Sequence, residues 1–379
     1  MRSYTVTKIW GIPIRLNISL VVFLPVLAWL IGDGGQIELY AELLEGLTAV
    51  AFDVDTLTAG STPWVIGVVA AVGLFVSVTI HELGHSWVAI RYGLSIESIT
   101  LWILGGMAAL SEMPKEWNRE FWIAIAGPVT SVGVAVVSYG GMLALGSALP
   151  VARFVLGWLA LTNLILAGFN LLPAFPMDGG RVLRALLARS RPYGSATRIA
   201  GRIGVVFAIL FAVVGVLVFN VILILLALFI YGAATTESRT VLLDELLEGL
   251  VVGDVMTRDP PTVSSDTTVA ELVSRMVGDR RTVYPVIDDF SGDVVGVVTL
   301  NELRQVREVE RDAVLVEEIA RDVPRVDPTA DAFETLVTLS GTKTNHLLVG
   351  DETGVVGLLS EGDFAHALSM QREFRVGVV

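Results

Sequence analysis

Residues 79–86 read T-I-H-E-L-G-H-S. His81 and His85 stand four apart, a spacing that on a helix stacks both imidazoles on one face, where two ring nitrogens can share one metal ion. Glu82, beside the first imidazole, is placed to take a proton from a water that the metal activates. The surroundings decide the fold. Upstream, residues 64–79 (W-V-I-G-V-V-A-A-V-G-L-F-V-S-V-T) carry no charge; downstream, the apolar run resumes over 87–90 and stops at Arg91. The motif therefore sits in a predicted membrane-spanning helix. An ionisable group there costs roughly 2.5–3.5 kcal/mol on insertion scales and is as a rule functional.

The composition agrees. The chain has 379 residues, 53% of them hydrophobic, with a mean hydropathy of +0.69, too apolar for an ordinary soluble enzyme. It has no cysteine, which excludes disulfides and thiolate sites, so any metal must be held by His, Asp or Glu. The net charge of −13 is concentrated at one end: residues 237–379 hold 27 acidic against 13 basic side chains. Such a balance argues against nucleic acid as a partner, which needs a basic face.

Outward from the motif, the chain reads as about six transmembrane helices. Residues 1–17 are polar and mildly basic, and 18–31 form a first apolar run with Pro25 inside it, read as a retained helix because no small-x-small cleavage pattern follows. Residues 32–63 carry six acids and no Lys or Arg, with a short amphipathic helix expected over 37–48. After the motif helix (64–90), residues 92–114 are not a span. Strand-like residues flank Gly105-Gly106 and predict a membrane-embedded β-hairpin, tolerated at that depth where protein or a watery cavity buries it. Spans follow at 121–149, with Gly127-Pro128 as a kink or packing point, and at 154–172. A basic segment holds Arg181, Arg184, Arg189, Arg191, Arg198 and Arg202. The last apolar run, 203–231, is expected as two helices turning near 218–220. Lys and Arg cluster at the N-terminus, at 91–119 and at 181–202, which predicts a multi-pass cell-membrane protein with these segments and the C-terminal region in the cytoplasm.

A metal site needs a third ligand. The stretch 170–181, N-L-L-P-A-F-P-M-D-G-G-R, offers Asp178: Pro173 and Pro176 break the preceding helix, and Gly179-Gly180 permit a tight turn or a close backbone approach. Two imidazoles, one carboxylate and an open position make the usual catalytic zinc arrangement.

From about residue 240 the composition becomes that of a soluble α/β module, and it repeats. The segments 251–276 and 284–303 recur as 316–336 and 345–364, each copy reading as lead-in, helix, strand, turn, strand, helix. Two copies suit a paired module rather than a solenoid. The expected domains are a membrane domain at 1–235, a linker at 236–248 and modules at 249–308 and 309–379.

H-E-L-G-H (81–85), the Gly105-Gly106 hairpin and N-L-L-P-A-F-P-M-D-G-G-R (170–181) together resemble the site-2 protease family of intramembrane metalloproteases; 9–19, I-W-G-I-P-I-R-L-N-I-S, looks like the family's N-terminal stretch. The resemblance covers residues 4–235. It implies one Zn2+ held by His81, His85 and Asp178, Glu82 as general base, and Asn170 as a group that positions or stabilises the oxyanion. It also implies a membrane-anchored protein substrate. A helical substrate hides its peptide bonds and must unwind, and the hairpin over 99–110 offers a strand edge for the unwound segment to pair with, the alternative being that it only plugs the cavity. One departure stands out: the family often has G-P-x-x-N in its third core helix, and here Ser131 follows Gly127-Pro128.

The C-terminal repeat resembles a pair of CBS (cystathionine-β-synthase-type) modules, carried by G-V-V-T-L-N-E-L (296–303) and G-L-L-S-E-G-D-F (357–364). The resemblance implies that a hydroxyl and an acid three residues on, Thr299 with Glu302 and Ser360 with Asp363, grip the ribose of an adenine nucleotide. A homodimer through the modules is expected too, and the alternative reading of the pair is a structural dimerisation module that binds no nucleotide. The alternative from another class is a CBS-gated transporter or channel with a His/Asp ion site; against it, residues 1–235 show no duplicated spans or matching broken helices.

Overall fold

A computed structural model describes residues 3–103, 105–110, 114–342, 345–351 and 354–376. Leu104 and 111–113, within the expected hairpin stretch, lie outside the described residues. The chain divides into two compact units, Met1–Arg239 and Thr240–Val379.

The first unit opens with β1 (Ser3–Ile9) and β2 (Ile12–Asn17), then α1 (Ile18–Ile31), α2 (Gly34–Thr48), α3 (Val54–Thr58) and α4 (Thr62–Arg91). β3 (Ile96–Trp102) and β4 (Gly105–Leu110) follow, then α5 (Trp117–Leu145), α6 (Pro150–Asn170), α7 (Asp178–Ala188), α8 (Tyr193–Leu217) and α9 (Val221–Leu247). Among the described residues, five helices are long and apolar enough to cross a membrane: α4, α5, α6, α8 and α9; a sixth crossing exists if α1 and α2, bent by 67°, count as one broken span. The bend has a local cause. Asn17 caps α1, Asp33 caps α2, and Gly32 between them sits where a Cβ would lie 2.6 Å from the Pro63 carbonyl oxygen. The last apolar run is two helices, α8 and α9, with the break at residues 218–220. Both are longer than the run itself. α8 begins at Tyr193 and absorbs Arg198 and Arg202, and α9 runs to Leu247 through most of the segment expected as a linker.

The sheet departs from expectation. Instead of an isolated hairpin, four strands pair in the order β1-β2-β3-β4. The polar N-terminus supplies two of them, turning through Trp10 and Gly11, both at positive φ, as a two-residue hairpin turn requires. β2 then pairs parallel to β3, Ile14 opposite Ile99. The reason is apolar: Ile12 and Ile14 join Ile99, Leu101 and Leu20 in one buried cluster. Gly105 and Gly106 are not the turn but the first residues of β4.

α4 carries its buried residues Ile66, Ala70, Ser77, His81, His85 and Ala89 at helical spacing along one stripe, while Val65, Val68, Val72, Val76 and Ile80 lie exposed on the other face, ready for lipid. On the stripe Gly67 lets α1 approach closely, since a Cβ there would be 2.0 Å from the Ala28 carbonyl oxygen. One turn before His81, Ser77 Oγ accepts a 3.0 Å bond from the fully buried Asn163 on α6.

Among its described residues the second unit contains two sheets. One is β6 (Val263–Ser264), β7 (Val283–Ile287) and β8 (Val294–Thr299); the other has the order β5 (Thr257–Arg258), β11 (Gly354–Ser360), β10 (His346–Asp351), β9 (Arg325–Val326). The short lead-in helices are α10 (Val252–Val255) and α13 (Val316–Ile319); α11 (Val269–Asp279), α12 (Leu300–Leu303), α14 (Ala332–Ser340) and α15 (Glu361–Val376) complete the repeat. The copies interlock. The lead-in strand of the first, β5, pairs with β11 of the second, and Arg321 of the second bridges to Val297 on β8 of the first.

Candidate metal centre

His81 and His85 sit on α4, and Asp178 is the first residue of α7; all three are buried. Their potential ligand atoms form a nearly equilateral triangle. His81 Nε2 and His85 Nε2 are 3.1 Å apart, and each is 3.2 Å from Asp178 Oδ2. A tetrahedral zinc with bonds of about 2.0–2.1 Å spaces its ligands by roughly 3.3–3.4 Å, so the triangle fits such an ion to within about 0.3 Å.

The far sides of the rings fix their orientation. His85 Nδ1 donates a 2.7 Å bond to the Ile123 carbonyl oxygen, which can only accept, so its Nε2 turns a lone pair to the centre. His81 Nδ1 lies 2.9 Å from Ser131 Oγ, a hydroxyl able to accept the ring N–H in the same sense when His81 is protonated at Nδ1. Two imidazole lone pairs and a carboxylate oxygen then converge in a buried space, where they repel unless a cation lies among them. Ser131 thus keeps a polar contact to a ring nitrogen in the position where the family often has asparagine.

Glycines clear the ground. A Cβ on Gly127 would fall 2.2 Å from His85 Nε2 and 2.6 Å from His81 Nε2, so only glycine leaves the triangle its room on that side. The Gly127-Pro128 pair lies inside an unbroken α5, so its glycine serves clearance rather than a helix break. Gly179 and Gly180 let the first turn of α7 rest on the backbone of the preceding loop: Cβ atoms there would be 2.3 Å from the Leu171 oxygen and 2.7 Å from the Ala174 carbonyl carbon. The loop seats Ala174 and Phe175 as fully buried residues.

Glu82, half-buried, follows His81 on α4. β4 passes directly over it, since a Cβ on Gly106 would be 2.4 Å from Glu82 Cγ. Asn170 is the half-buried last residue of α6, and its side chain makes no hydrogen bond among the described residues.

The CBS-type residues are already engaged within the chain. Glu302 is buried; Oε1 is 2.8 Å from Arg321 Nε, and Oε2 accepts from the Thr299 backbone and hydroxyl. Asp363 Oδ2 accepts from the Ser360 backbone and hydroxyl at 2.8 and 2.6 Å, and Oδ1 accepts from Thr257 Oγ1 at 2.7 Å. Each acid caps its own helix and clasps the lead-in of the other copy. Arg321 and Thr257 occupy equivalent places, each two residues past a lead-in helix.

Comparison with known proteins decides the family. The chain is 33% identical over 377 residues to "Zinc metalloprotease MJ0392" of Methanocaldococcus jannaschii, covering 97% of this chain and 96% of that one. It belongs to the site-2 protease family, peptidase family M50. The model of that family matches residues 69–153 and 146–211, and the model of the CBS domain matches 252–308 and 316–370. "Putative zinc metalloprotease Rip3" of Mycobacterium tuberculosis is 35% identical over 338 residues, covering 83% of this chain and 85% of that one. The solved "Site-2 Protease from Methanocaldococcus jannaschii" is 38% identical, covers 63% of this chain and 96% of that chain, and superposes with a TM-score of 0.42. This multi-pass membrane chain is therefore a zinc metalloprotease with a CBS pair, and the transporter alternative falls away.

Three features go beyond what the sequence shows. Gly127 reads there as a kink or packing point, and what it packs against, the two imidazoles, is not visible in the sequence. The N-terminal strands alternate T-V-T-K-I and I-P-I-R-L around W-G, a hairpin signal outweighed by their polarity. Arg184, one of the arginines of the basic segment, is fully buried.

Proposed function

We propose that this M50 member is an intramembrane endopeptidase in which His81, His85 and Asp178 hold one zinc ion and Glu82 is the general base. What supports the reading is the convergence of three acceptor atoms 3.1–3.2 Å apart, with the His85 ring locked from behind by the Ile123 carbonyl. Held by His81, His85 and Asp178, a zinc ion would supply Lewis acidity to water and to the scissile carbonyl. Glu82 takes the proton of the attacking water and passes it to the leaving amine. The β4 backbone packed on Glu82 limits the rotamers of its side chain, holding the carboxylate ready. Asn170, one loop before Asp178, is the residue assigned to the oxyanion. Glu82→Ala should lower cleavage of a membrane-anchored protein substrate by at least ~10²-fold, the scale of losing a general base, while zinc content stays as in the parent. Undiminished cleavage would remove Glu82 from the mechanism.

The CBS pair is assigned a regulatory role in the cytoplasm, with an adenine nucleotide as effector and self-association as a homodimer. The two copies are not equal candidates for ribose. Asp363 would exchange one neutral hydroxyl, that of Thr257, for another. Glu302 would have to surrender a guanidinium partner while itself buried, a costlier exchange. Ser360 with Asp363 is therefore the favoured site. Sedimentation of the detergent-solubilised chain tests the dimer, which a monomer at all working concentrations would refute.

A further inference from the structure

Arg184 heads the fully buried side chains by size. Its Nε donates to Glu120 Oε1 at 2.7 Å and its Nη1 to Glu237 Oε1 at 2.6 Å. The guanidinium also stacks against Phe175 and Tyr193, 4.9 Å from each ring centroid. One cation thus joins α5, α7, α8, α9 and the loop before Asp178. Stability alone does not call for it, since packed apolar residues commonly replace a buried ion cluster without loss. A planar fork fixes direction as well as distance, which apolar packing does not.

Direction matters here because of what α7 carries. Asp178 is its first residue, and Arg184 lies six residues on, about 9 Å along the axis. The two glycines of the first turn bring α7 against the loop with no room for a Cβ, so a shift of α7 cannot be taken up at its first turn. His81 and His85 belong to α4, and the distance from them to the carboxylate is therefore set by where α7 is held. Glu120 holds it to α5. Glu237 holds it to α9, three residues before the second unit begins at Thr240, on a helix that continues unbroken to Leu247.

We propose that Arg184 and Glu237 are positioning residues for Asp178: the guanidinium sets the placement of α7, and Glu237 makes that placement answer to α9, the helix by which the chain passes into the CBS unit. The inference rests on His81, His85 and Asp178 being the metal ligands.

The test uses the purified full-length protein loaded with zinc or cobalt(II). Two quantities are read: the rate of zinc release to excess chelator, and the d–d absorption of the cobalt form, which reports ligand geometry and is compared only among variants whose circular dichroism matches the parent. The variants are Arg184→Lys, Glu237→Gln, their double, Asp178→Ala, and Glu116→Gln, which breaks the exposed Arg119–Glu116 pair as a control. Glu237→Gln and Arg184→Lys should each speed zinc release roughly 3- to 10-fold, less than the 10- to 100-fold of a direct partner of a ligand, and each should shift the cobalt bands. The double should release no faster than the faster single, because both act through one contact. Glu116→Gln should match the parent. Arg184→Lys is the riskier fold, so Glu237→Gln, at the partly exposed end of the cluster, decides alone if the lysine variant does not express. Parent-like release and spectra in Glu237→Gln, with metal lost in Asp178→Ala, would overturn the positioning role and leave the ligand assignment standing. Full metal retention in Asp178→Ala would overturn both.

Discussion

At the scale of single residues, the centre is as much a matter of what is missing as of what is present. The facing of His81 and His85 was legible because H-E-x-x-H encodes geometry along one helix, and a helix keeps that geometry wherever it packs. Gly127 was not legible, because the clearance it provides depends on how α5 crosses α4. Its role predicts that Gly127→Ala, a single methyl, strips the site: the added carbon would fall 2.2 Å from His85 Nε2, so the ring must turn out of the triangle. Metal analysis should show zinc falling to a small fraction of the parent, while α5, with alanine the better helix former by about 1 kcal/mol, stays intact by circular dichroism. A zinc-replete Gly127→Ala protein would show that the crossing is looser than described. The burial of Arg184 was not legible for a related reason: nothing in a basic run shows that the fold supplies two carboxylates and two rings to enclose one of its arginines.

Among elements, the strands show where local pattern ran short. β3 and β4 were readable as a strand pair from their apolar residues, but the turn between them was not, since Gly105 and Gly106, read as the turn, open β4. β1 and β2 were not, since six of the seven β1 positions remain exposed and only β2 buries isoleucines against β3. Glu302 and Asp363 give the opposite lesson. A hydroxyl followed by an acid three residues on is also a helix-capping pattern, and the fold uses both pairs in that way. The exchange argument then predicts an asymmetry between the copies. Asp363→Asn should abolish binding of an adenine nucleotide, measured by titration calorimetry on the full chain, and Glu302→Gln should leave it within about threefold. Equal loss in both variants, or none in either, would contradict the assignment to Ser360 and Asp363.

For the whole molecule, the absence of cysteine makes topology directly measurable, because any introduced thiol is the sole reporter. The charge distribution predicts that cysteines placed at position 5 and in the CBS unit react with impermeant maleimide only from the cytoplasmic side. One placed at position 46, in the stretch 32–63 with its acids and no Lys or Arg, should react only from outside. Labelling of all three from one side would mean that the number of crossings between them is even where the reading needs it odd. Fold class and family were open to sequence because spans and motifs are local in the chain. The interlocking of the CBS copies and the tie between α7 and α9 were not, being contacts between residues tens of positions apart.

The central claim is that two imidazoles of α4 and the carboxylate opening α7 hold one zinc ion. Elemental analysis of the purified protein tests it most directly, comparing the parent with His85→Ala, Asp178→Ala and Glu82→Gln. The account predicts about one zinc per chain in the parent and in Glu82→Gln, and loss of the metal in the other two, since three protein ligands make the site. Zinc retained at the parent level in Asp178→Ala would contradict it.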